Sequence, residues 1–211
     1  MPRVSWIAAL VVALATMTVQ AQHQHGATAG ASAKTDAQKI ANAKSAAPPE
    51  IANGAAIMDW PSKAGDAPRR LVAGTNGWVC FPNSPVEYKG KTADDPMCLD
   101  AAWQKWGEAW QAKTTPEPMF GIAYMLKGDK GGSVTDPFAT GPTADNHWVV
   151  SGPHIMVLLA DPKQLDAYGT DPTSGGPYVM FKGTPYAHLM VPVGSKAGAS
   201  MTHMMAAPPT K

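Results

Sequence analysis

The chain is poor in cysteine. It has two in 211 residues, and neither lies in a C-x-x-C or C-x-x-C-H motif. Their spacing excludes a thioredoxin-type redox pair and covalent haem attachment. Net charge is also nearly absent: 17 Lys and Arg stand against 16 Asp and Glu, a formal +1. The basic residues form no run, so no nucleic acid is expected as partner, because phosphate binding needs a clustered basic surface. No G-x-S-x-G, H-E-x-x-H or G-x-G-x-x-G pattern occurs. A nucleophile elbow, a zincin helix and a dinucleotide turn are therefore without support. What the chain does have is 45% hydrophobic residues, seven Trp, 20 Gly and 20 Pro. That is enough apolar material for a packed core, interrupted by many turns.

The first 21 residues read as a secretory signal. Arg3 supplies the positive start, Val4 to Ala15 the apolar stretch, and Val19-Gln20-Ala21 the small-x-small cleavage pattern. The stretch falls short of the ~20 apolar residues that span a bilayer; an uncleaved N-terminal anchor is the alternative. No transmembrane span is expected in the mature chain, and the expected location is periplasmic or secreted. In such an oxidising compartment Cys80 and Cys98 are expected to pair. Closing that loop contributes about 3 kcal/mol in the chain-entropy model.

Residues 22–56 contain twelve Ala and no Phe, Trp or Tyr. They read as a disordered Ala-rich tether, with at most a weak helix around 35–47. Residues 57–193 are expected to form one α+β domain, followed by a flexible Met- and His-containing tail over 194–211. Within the domain, Gly74-Thr75-Asn76-Gly77 separates two apolar runs and predicts a hairpin between Leu71-Val72-Ala73 and Trp78-Val79-Cys80-Phe81. Asp95 and Pro96 suit the cap and first turn of a helix that carries Cys98. On it, Leu99, Trp103, Trp106 and Trp110 recur along one face. That face is expected in the core; a stacking platform for a sugar is the alternative. Strands are predicted at 121–126, 148–150, 155–159, 178–181 and 189–191, the last two as a hairpin. The result is a mainly antiparallel sheet packed against at least one Trp-rich amphipathic helix.

Several stretches resemble a group of bacterial exported proteins to which no activity is attached. They are residues 74–82 (GTNGWVCFP), 95–100 (DPMCLD), 121–126 (GIAYML), 152–157 (GPHIMV) and 183–192 (GTPYAHLMVP). The resemblance implies an exported domain and assigns no ligand or catalytic residue.

His154 and His188 are the leading site candidates, since each opens an apolar strand. If residues 154–159, 178–182 and 187–192 run up, down and up, both imidazoles sit at one end of the sheet. With one strand between them they stand about 10 Å apart, from a strand spacing of ~4.8 Å. Converging imidazoles suit Zn or Cu binding, or acid–base chemistry. His147, Asp145 and Asp161 are available on flanking loops. Two structural histidines, each bonded to a loop carbonyl, are the alternative. The tails add softer candidates: His23 and His25, then Met201, His203, Met204 and Met205, whose thioethers suit Cu(I). The function expected from these residues is the binding of a small molecule or metal ion outside the cytosol. The alternatives are a His-dependent, metal-assisted hydrolase and a cell-envelope interaction protein.

Overall fold

The computed structural model describes residues 35–63, 65–85 and 94–194. The signal stretch, His23, His25, Met201, His203, Met204 and Met205 lie outside the described residues. The described chain is an α+β fold around one eight-stranded sheet of order β2-β1-β3-β4-β5-β8-β10-β9. The strands are β1 Ala56–Asp59, β2 Arg69–Val72, β3 Val79–Phe81, β4 Met97–Leu99, β5 Gly121–Met125, β8 His154–Leu158, β9 Tyr178–Met180 and β10 His188–Pro192. Every neighbouring pair is antiparallel except β1–β3. A separate two-stranded ladder joins β6 Gly132–Ser133 to β7 Trp148–Val149.

The segment read as a tether is folded from residue 35 onward. Helices α1 Asp36–Lys44 and α2 Pro49–Ala52 precede the sheet. Thr35 caps α1 in a capping box with Gln38. Ala43, Ala46, Ala47, Ala52 and Ala55 pack with Ile57, Cys80 and Cys98 into a buried cluster. Small methyls let helix and sheet approach closely, so the Ala-rich composition serves packing here rather than disorder. Ion pairs fix the helix at the sheet margin. Lys39 Nζ lies 2.7 Å from Asp59, and Arg69 donates to Asp36 and Asp59.

Two local expectations are corrected. The Asn76-Gly77 turn does not close a β2–β3 hairpin, because β1 lies between these strands. Thr75 N and Asn76 N donate to Gly54 O, and Asn76 Nδ2 to Ile51 O. The turn's backbone bonds thus go to the segment thought disordered. The Trp helix, α3, spans Ala101–Ala112 and is capped by Asp100, whose Oδ1 accepts from Trp103 N. Asp95 instead accepts from Ser84 N and Oγ and faces Lys130 Nζ at 3.4 Å. Residues 97–99 are therefore free to form β4, which places Cys98 directly opposite Cys80. The two are joined in a disulfide.

The register divides the sheet into two faces, because paired antiparallel residues point the same way. Helices α1 and α2 cover one face at the β1–β4 end. The 3-10 helix Pro162–Ala167 covers that face at the other end, where Leu165 packs on Val179 and Leu189. Helix α3 covers the opposite face, with Trp103 against Ala123 and Leu158. Gly121, at the start of β5, lets it settle: a Cβ there would meet Ala102 Cβ at 2.7 Å. At the margins, β2 exposes Arg69 and Arg70. At the other margin, Val179 N and Phe181 N donate to the loop carbonyls of Gly169 and Val134.

Candidate functional site

The expected pairing of His154 and His188 at one rim does not hold. Strands β8 and β10 are adjacent and antiparallel, with His154 opposite Pro192 and Leu189 opposite Val157. The two His therefore open their strands at opposite ends. They do share the face beneath α3, since His154 and Met156 point the same way as Pro192, Met190 and His188. The misreading came from strand order: β9 is the edge strand, not the spacer.

Both imidazoles are buried, at 2% and 3% exposure. His154 Nδ1 lies 2.7 Å from Gly152 O, and His188 Nδ1 lies 3.0 Å from Tyr186 O. A ring nitrogen facing a carbonyl carries a proton, so in the neutral ring Nε2 is the lone-pair nitrogen. Neither Nε2 has a hydrogen-bond partner. So each ring makes the carbonyl contact of a structural histidine with one nitrogen and leaves the other unsatisfied. That is costly in a protein interior.

His188 stands in an aromatic box. Trp103, Trp106 and Phe181 meet its ring edge-on, at centroid distances of 5.1, 5.7 and 5.4 Å. Phe181 reaches this position from a left-handed backbone, φ 59°, an uncommon conformation for a bulky side chain. Burial pushes the His188 pKa down to about 4; the Tyr186 carbonyl opposes this, and the electrostatic influence of His154 adds to it. The indole N–H groups of Trp103 and Trp106 are likewise buried without a partner.

His154 adjoins a second polar group. The Asp129 carboxylate accepts from Gly131 N and Ser151 N. Desolvation raises its pKa, against the opposing pull of His154 and these N–H donors. Ser151 Oγ lies 3.3 Å from Tyr178 OH, whose pKa burial pushes up to about 12. Gly128 makes the turn into this group at φ +79°, where a Cβ would strike Ser151 O. The sequence reading missed Asp129, Ser151 and Tyr178 because they lie on three separate segments with no shared spacing.

The loop residues do not complete a site. His147 is exposed at the entry to β7, Asp145 is exposed, and Asp161 caps the 3-10 helix by accepting from Lys163 N. No group of three or more His, Cys, Asp or Glu able to hold a metal occurs among the described residues. The Trp stripe divides: Trp103 is core, while Trp110 is 37% exposed and stacks on Phe138. An open pocket of about 500 Å³ adjoins the start of α3 and includes Asp100, Lys105 and Phe120 in its wall. Asp100 is already bonded to Trp103 N and Ile122 N. No helix among the described residues is long and apolar enough to cross a membrane.

No family model matches the chain, and no curated protein or solved structure is significantly similar to it.

Proposed function

We propose that the protein is an exported metal- or ligand-binding protein whose binding groups are Nε2 of His154 and Nε2 of His188, at two separate positions on the sheet face beneath α3. One observation carries the reading: both Nε2 atoms are buried without a partner while both Nδ1 atoms are fixed by carbonyls. A ligating histidine has this arrangement, since the carbonyl sets the tautomer and aims the free nitrogen at the metal. Export is supported by the apolar N-terminal stretch and by the Cys80–Cys98 disulfide. The small-molecule reading has less support, because the open pocket beside α3 includes neither imidazole in its wall. Hydrolysis has less support still, because both rings are buried.

The test is metal titration of the disulfide-intact protein after chelator treatment, with Zn(II) and copper each supplied alone. At a hundredfold excess of metal over Kd, the folded state gains about 2.7 kcal/mol. The expected result is a raised melting temperature and retained metal. Both should be diminished in His154→Gln and in His188→Gln. Equal metal retention and equal melting shifts in the parent and both variants would overturn the proposal.

A further inference from the structure

The start of α3 builds a second feature, whose walls include neither imidazole. The open pocket of about 500 Å³ lies there, between Asp100, Ala101, Ala102 and Lys105 on the helix side and Met119 and Phe120 at the entry to β5. Its volume is in the range of small-molecule sites, about 300–1,000 Å³. One residue ties its two sides together. Asp100 Oδ1 accepts from Trp103 N, Oδ2 accepts from Ile122 N, and Asp100 N donates to Ile122 O. Helix and strand are thus bound to each other at the pocket. The walls stand in place before anything enters, which lowers the ordering cost of binding.

The wall divides chemically. Ala101, Ala102, Met119 and Phe120 give it an apolar side. Phe120 is 62% exposed, the most exposed large hydrophobic side chain among the described residues. An aromatic ring left in water at a pocket wall gains from any apolar body laid against it. Two charged residues border the same space, and they differ in what they have left to offer. Both oxygens of Asp100 are already taken by backbone N–H groups. Lys105 is exposed and has no ion pair or hydrogen bond among the described residues. The uncommitted charge of the pocket is therefore one ammonium, which donates and cannot accept. A cationic ligand would meet that ammonium and find no free carboxylate. We infer that the pocket binds a small amphipathic monoanion, a carboxylate on an aryl or alkyl body. The carboxylate accepts from Lys105 Nζ, and the body lies on Phe120, Met119 and the two alanine methyls. This site is independent of the two imidazoles, and neither needs the other.

The experiment uses the full, disulfide-intact chain, isotopically labelled and followed by amide NMR. Phenylbutyrate, phenylbutanol and phenylbutylamine are titrated separately; they share a body and differ in head group. The expected result is saturable shifts at the amides of Ala101, Ala102 and Lys105, with affinity falling from carboxylate to alcohol to amine. Lys105→Gln should weaken phenylbutyrate about fivefold and leave phenylbutanol unchanged. Phe120→Ser should weaken both about tenfold. Both side chains are exposed, so neither substitution should move the melting temperature appreciably. The ranking of the three head groups on the parent chain decides the matter without any variant. Equal affinity for all three, or no saturable shift at the start of α3, would overturn the assignment. So would parent-like phenylbutyrate affinity in both variants, or shifts confined to the amides around His154 and His188.

Discussion

The most direct check on the fold concerns Ala43. It lies in α1 with no exposed surface, packed on the face that carries the disulfide. Its carbonyl faces Cys98 Sγ at 3.8 Å. Ala43→Gly removes one buried methyl, about 0.8 kcal/mol. It also costs about 1 kcal/mol of helix propensity, so the sum is about 2 kcal/mol. Ala41, on the exposed side of the same helix, provides the control. Ala41→Gly should cost the propensity alone, about 1 kcal/mol. For a domain of this size the larger loss lowers the melting temperature by about 4–8 °C. Urea unfolding followed by Trp emission measures both variants against the parent. If residues 35–47 were a tether, both substitutions would be silent. Parent-like midpoints for both would refute the packing of α1. Equal losses would refute the burial of Ala43.

Acid should destabilise the metal-free protein through His188. Its folded pKa of about 4 lies below the ordinary value of 6.5, so this contribution is complete above pH 6.5 and is lost as pH falls toward 4. The loss approaches about 3 kcal/mol. Asp129 acts in the opposite sense, since its raised carboxyl gains a proton as pH falls, so the comparison with His188→Gln isolates the histidine. Parallel pH–stability curves for the parent and His188→Gln in urea would refute a neutral buried ring. Replacing both Cys80 and Cys98 by Ala should cost about 3 kcal/mol, from the loop they close. An unchanged urea midpoint would show that the bridge is not formed in the folded protein.

The hydrophobic pattern made the α3 face, the β9–β10 hairpin and the strands around Tyr124, Met156 and Met190 legible, because each is a local periodicity. The cysteines were legible as a pair, but their cross-strand placement was not. Asp95-Pro96 mimics a helix start so well that it hid β4 and the true cap at Asp100. The alanine segment was misread for a different reason. Ala carries little hydrophobic signal, and its value lies in what it allows a neighbouring element to approach. Strand order is non-local as well. Nothing in the 154–192 segment states that β10 lies beside β8, and that adjacency moved His188 away from His154's rim.

The two margins of the sheet have a consequence for association. A bare strand edge is a template on which a second chain can add. Here one edge carries two guanidinium groups, and Arg69 grips Asp36 across it. At the other edge, loop carbonyls occupy the amides of Val179 and Phe181. Growth by β-addition is thus blocked at both flanks by different means, one electrostatic and one by prior occupancy. A crowded solution would leave this sheet finite.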